Sequence, residues 1–135
     1  MRAFFEAFQT SNEIGDVTVL VNLFADSLVV ASSNGAQVVK ASDLARMIPK
    51  RKEMLDAAGC QGAKLVSLNE TRLDDHYSMV RAEWCWRVIS RGGDSQEITL
   101  PSTYIVRRSS EGLQIVFYLA QGDITAVLRE RGLLR

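Results

Sequence analysis

The feature that most constrains this chain lies in its second half. Four extended, apolar-rich segments follow one another at residues 63–73, 77–90, 97–108 and 113–120, and the gaps between them read Asp74-Asp75-His76, Gly92-Gly93-Asp94 and Ser109-Ser110-Glu111-Gly112. Strands joined by such short turns pair with antiparallel neighbours, so nearly half of the molecule is expected to be one meander. The stretch Arg81-Ala82-Glu83-Trp84-Cys85-Trp86-Arg87-Val88 then assigns the faces. With a period of two, Val80, Ala82, Trp84, Trp86 and Val88 share one side, whereas Met79, Arg81, Glu83, Cys85 and Arg87 share the other. Same-face neighbours lie roughly 7 Å apart, so the two indoles can form a continuous aromatic floor.

The first half has helical periodicity. Phe4, Phe5 and Phe8 fall on one side of a helix expected to end near Ser11-Asn12; Asp16 then caps a second helix, whose stripe is Val17, Leu20, Val21 and Phe24. Two short strands, Leu28-Val29-Val30-Ala31 and Ala36-Gln37-Val38-Val39, flank an Asn34-Gly35 turn. A third helix is expected from Ser42 to Ala58, carrying Leu44, Met47, Ile48 and Leu55 and stopping at Gly59, with a kink or break at Pro49. Asp123 can cap a short last helix through Ile124, Val127 and Leu128, ended by Gly132. Helices followed by a run of strands predict an α+β domain spanning residues 1–135, with the helices over one face of a curved antiparallel sheet. Trp84 and Trp86 then look toward the helices.

Composition narrows the partners. Sixteen basic residues balance sixteen acidic ones, which removes the broad attraction on which nucleic-acid binding depends, so no nucleic acid is expected. No stretch approaches the roughly 20 apolar residues of a membrane helix, and the acidic residue Glu6 interrupts any secretory signal. A cytoplasmic protein without membrane association is the expectation. Cys60 and Cys85 form no C-x-x-C pattern, so two reduced thiols are expected, with no metal and no cofactor.

Two passages resemble the nuclear transport factor 2-like superfamily. Phe24-Ala25-Asp26-Ser27-Leu28-Val29-Val30, with Asn34-Gly35 after it, looks like the passage that ends the second helix in SnoaL-like and ketosteroid-isomerase-like members. Ser102-Thr103-Tyr104-Ile105-Val106-Arg107-Arg108 and the segment Glu111 to Leu119 look like the final hairpin of that superfamily. The resemblance implies a cone-shaped barrel, its curved antiparallel sheet wrapped around two to three N-terminal helices and followed by a short C-terminal helix. It also implies a pocket between sheet and helices, and often a dimer. Aligned without gaps on the isomerase pattern, the position of the proton-abstracting carboxylate falls on Ser32, a poor general base near neutral pH. His76 is the only histidine and lies at a predicted turn.

Several side chains remain as candidates. Trp84, Trp86, Tyr104 and Tyr118 come from three neighbouring strands and would line a pocket for a small apolar ligand, or else fill an ordinary core. Asp26 and Asp123, with Tyr104 as hydrogen-bond donor, would serve a cofactor-free isomerase, cyclase or hydrolase; caps and turns are the competing role for both aspartates. Cys85 lies between Arg81 and Arg87 but lacks a histidine partner, and Lys50-Arg51-Lys52 reads either as an anion site or as a solvated face. On the outer sheet face Met79, Arg81, Glu83, Cys85, Arg87 and Ile89 suit a homodimer interface. A dimerisation module with a filled cone is the third reading.

Overall fold

The structure, a computed structural model, describes residues 1–133; the last two residues of the expected 1–135 domain lie outside the described residues. Helix α1 spans Arg2–Ile14 and α2 Val17–Asn22; strands β1 (Phe24–Ser32) and β2 (Gly35–Lys40) form a hairpin. Helix α3 (Ala41–Ala57) precedes β3 (Cys60–Arg72), β4 (Tyr77–Ile89), β5 (Ser95–Ser109) and β6 (Gly112–Ala120), and α4 (Ile124–Glu130) follows. All elements expected from periodicity are present, but several boundaries moved for physical reasons.

Helix α2 stops before Phe24. The carbonyl of Leu23 accepts the backbone N–H of Ile115 at 2.8 Å, so sheet pairing captures the chain one residue earlier than the apolar stripe alone implies. Phe24 still points inward, its ring 5.9 Å from that of Phe8. The Asp16 side chain caps α2 by accepting from Val19 N, as expected. Helix α1 continues to Ile14 and ends on Gly15 in the left-handed conformation. Pro49 neither ends nor divides α3, which runs through it, and the helix is entered from Lys40 rather than capped by Ser42.

The six strands form one sheet in the order β2-β1-β6-β5-β4-β3. The pairs β1–β2, β3–β4, β4–β5 and β5–β6 are antiparallel as expected, but β1 and β6 run parallel, so the expected antiparallel sheet contains one parallel pair. Short turns dictate direction only between strands they join; β1 and β6 are separated by most of the chain, which removes that constraint. The barrel implied by resemblance is also corrected, since β2 and β3 are edges and the sheet does not close. It curves through register shifts at Cys60/Ala63 and Leu65/Ser67 in β3, at Ile105/Val106 against β6, and between Phe24 and Val29 in β1.

The helices lie in the hollow of this curved sheet. Phe5, buried completely, anchors α1 on Tyr104, with ring centroids 4.9 Å apart. Beside the β3 irregularity, Leu65 N donates to the Gln9 side-chain oxygen at 2.8 Å, fixing the same helix to the sheet through a polar contact. One buried cluster comprises Phe5, Leu28, Val80, Ala82, Trp84, Tyr104, Val106 and Ile115. A second, around Leu55, Cys60, Val88, Ile98, Ile124 and Leu128, lies under α3 and α4, and Trp86 packs against both. Between the two clusters the core is not filled.

Candidate functional site

The unfilled space is a cavity of about 570 Å³ between the inner sheet face and the helices. Small-molecule sites occupy roughly 300–1,000 Å³, a range that includes this volume. Side-chain alternation explains its floor. On β4, Val80, Ala82, Trp84 and Val88 are buried, and Trp84 and Trp86 both line the cavity. Tyr104 faces Trp84 from β5, and Tyr118 on β6 stacks obliquely on Tyr104 with centroids 5.2 Å apart. The four aromatic residues singled out in the sequence therefore meet at one cavity, joined by Phe8 of α1, which lies 5.7 Å from Trp84.

The polar groups of this floor form a chain. Trp84 Nε1, which can only donate, donates to Tyr104 Oη at 3.2 Å, and Tyr104 Oη donates on to Ser102 Oγ at 3.3 Å. Ser102 is buried and lines the cavity, and its own hydroxyl hydrogen has no acceptor among the described residues. Burial pushes the Tyr104 phenol well above its ordinary value of 10, with the neighbouring Tyr118 adding to the shift; Tyr118 is raised by burial as well. Both phenols are thus neutral hydrogen-bonding groups across the physiological range. Burial likewise raises the thiol of Cys60, another lining residue, and makes it a poor nucleophile.

The two aspartates are placed differently. Asp26 stands in the irregular part of β1, exposed and outside the cavity lining. Asp123 does line the cavity, but its Oδ1 caps α4, accepting from Thr125 N at 3.0 Å and from Thr125 Oγ1 at 2.6 Å. His76 is exposed in the β3–β4 turn, where its backbone N–H donates to Asp74 Oδ1. Among the described residues no group of His, Cys, Asp and Glu is arranged to hold a metal ion, and no helix is long and apolar enough to cross a membrane.

Ser102 was not foreseen from the sequence, and Arg51 was foreseen only as part of a basic triplet, not as a lining residue. Ser102 sits two residues before Tyr104, on the same side of β5, so period two carried a signal for it. Arg51 belongs to the basic triplet, yet it also continues the spacing Leu44, Ile48, Arg51, Leu55, and all four residues line the cavity. Its guanidinium carbon lies 5.7 Å from the centre of the Trp86 ring.

The outer sheet face carries the residues expected at an interface, with Met79, Arg81 and Arg87 exposed and Glu83, Cys85 and Ile89 half-buried. Register adds a row not foreseen from β4 alone. Val38, Val29, Phe117, Ile105 and Met79 are successive cross-strand partners over five strands.

An open, curved α+β sheet cupping helices around an aromatic cavity defines the cone-shaped class that the sequence resembles. The chain matches the family described as NTF2-like protein (DUF6841) over residues 1–123 and belongs to it. Solved structures agree on the fold. An NTF2-like protein with a cystatin-like fold from Novosphingobium aromaticivorans superposes with a TM-score of 0.74 at 19% identity, over 99% of this chain and 86% of that one. An NTF-2 like protein of unknown function from Shewanella oneidensis gives 0.71 at 12% identity, over 89% and 94% respectively. A ketosteroid isomerase-like protein from Erwinia carotovora atroseptica gives 0.65 at 16%, over 87% and 89%. No curated protein matches the chain significantly in sequence.

Proposed function

We propose that this domain binds a small, largely apolar molecule in the cavity floored by Trp84 and Trp86. The observation that carries the reading is the convergence of Trp84, Trp86, Tyr104 and Tyr118, from three adjacent strands, on one space of about 570 Å³. Binding is favoured over acid-base catalysis because Asp26 lies outside the lining and Asp123 is engaged as a helix cap. The two free thiols, Cys60 and Cys85, suit a reducing cytoplasmic setting. A panel of hydrophobic compounds screened by thermal shift and by indole fluorescence tests the reading: a ligand that binds only the folded state raises the melting temperature. A panel that neither shifts the transition nor alters the indole emission contradicts it.

The proposal extends to a homodimer formed through the outer sheet face. The apolar row ends on exposed residues, Val38 at 73% and Met79 at 40%, and no part of this chain within residues 1–133 covers it. Arg81, Glu83 and Arg87 beside the row supply charges of both signs, which a two-fold axis can pair. Sedimentation at micromolar concentration is expected to give twice the 15.0 kDa chain mass; a monomer at that concentration contradicts it.

A further inference from the structure

We infer that the ligand of this cavity is a monoanion, an apolar ring system bearing one carboxylate, with Arg51 as the residue that binds the carboxylate. This deepens the binding proposal and rests on it. The inward stripe of α3 reads Leu44, Ile48, Arg51, Leu55, and a guanidinium stands where the periodicity calls for an apolar side chain. Arg51 is exposed, so water solvates its guanidinium in the ligand-free protein and a carboxylate can take the place of that water.

The charges around the cavity show which of them is free. Glu13, Arg51, Lys52, Asp56 and Asp123 are its ionisable lining residues of full charge. Lys52 Nζ is paired with Asp56 at 2.8 Å, Asp123 is occupied by Thr125, and Glu13 accepts from Gln9 Nε2 at 3.3 Å. Arg51 has no carboxylate partner and no hydrogen-bond partner among the described residues; its contact is the face of Trp86. It lines the cavity while remaining exposed, which places the fork of N–H donors at the mouth, above the aromatic floor. A guanidinium over an indole presents its planar edge to a bidentate carboxylate, while the ring beneath receives the apolar body attached to it.

Charge selects the carboxylate over a phosphate monoester. Lys52 is engaged by Asp56, so Arg51 is the one lining cation without a carboxylate partner among the described residues; it offsets the single charge of a carboxylate but only part of the charge of a phosphate monoester. At the far end of the polar chain, the Ser102 hydroxyl is a spare donor for any further oxygen on the ligand.

The experiment is calorimetric titration with 2-naphthoate, its neutral isostere 2-naphthamide and 2-naphthyl phosphate, on the wild-type protein and on Arg51→Gln. Arg51 is exposed, and a melting curve of the variant verifies its fold. Wild type is expected to bind naphthoate about tenfold or more tighter than naphthamide, with the phosphate ester weaker than naphthoate, and Arg51→Gln to bring naphthoate down to the affinity that the same variant has for naphthamide. Naphthamide binding as tightly as naphthoate, a preference for the phosphate ester, or a naphthoate preference that survives Arg51→Gln each overturns the inference while leaving the cavity as an apolar site. Absence of binding by all three overturns the binding proposal itself, and this one with it.

Discussion

The indole of Trp84 donates to the phenol of Tyr104 across 3.2 Å, one strand to the next, inside the core. The bond satisfies a buried N–H that alternation forces inward, and it lets two large amphipathic rings share the floor of a cavity without an orphaned donor. Removing the acceptor alone is therefore informative. Tyr104→Phe keeps the ring contacts with Phe5 and Phe8 but leaves the indole N–H unsatisfied. It is expected to lower stability by about 1–3 kcal/mol in urea unfolding with an unchanged slope.

Gly59 joins α3 to β3 at φ 93°, and its carbonyl accepts Ile89 N at 2.9 Å. A Cβ there would lie 2.1 Å from the Ile89 carbonyl oxygen, a backbone atom that cannot swing aside. Gly93, at φ 86°, has no neighbour within 4 Å of the same position. Gly93→Ala is thus expected to cost about 1–2 kcal/mol from backbone conformation alone, and Gly59→Ala more than about 4 kcal/mol, or the fold. Paired denaturation curves check the difference.

At the other end of the sheet, Arg108 ties three strands together. Its Nη2 bonds Glu70 Oε2 at 2.8 Å and its Nη1 bonds Ser78 Oγ at 2.9 Å, while Ser78 Oγ donates to the same Glu70 oxygen at 2.7 Å. The hydrogen bonds from Ser78 and Arg108 hold the Glu70 carboxyl below its ordinary value of 4.5. Because the folded value is the lower one, this stabilisation is complete above pH 4.5 and is lost as pH falls through the folded value. The pair is partly exposed, so the loss is about 1 kcal/mol. Stability measured from pH 6 to pH 3 is expected to fall less steeply for Glu70→Gln than for the wild type.

Phe117 occupies the centre of the outer apolar row, between Val29 and Ile105. Phe117→Arg is expected to convert the proposed dimer to monomer in sedimentation while the indole fluorescence of the cavity stays unchanged, because neighbouring residues of β6 face opposite ways.

Local periodicity carried most of the fold into view. Alternation around Trp84 and Trp86 placed both rings on the helix side, and the turn residues delimited every strand of the meander. What stayed hidden depends on contacts distant in sequence. Phe24 fits a helical stripe as well as a strand, and only the bond from Ile115 N to Leu23 O decides between them. The parallel pairing of β1 with β6, and the row from Val38 to Met79, require the register of strands that no turn connects. Arg51 was visible as part of a basic triplet; its inward position follows from the α3 stripe, which a reading by charge alone passes over.

The central claim is that an accessible cavity lies against both indoles. The chain has two tryptophans, so a nitrogen-15 spectrum holds two indole N–H signals, assigned by Trp86→Phe. On titration with 2-naphthoate both signals are expected to shift together and saturate, with the Trp86 signal lost in the variant and the Trp84 signal still responding. Two indole signals that stay fixed up to the solubility limit of the probe would contradict the account.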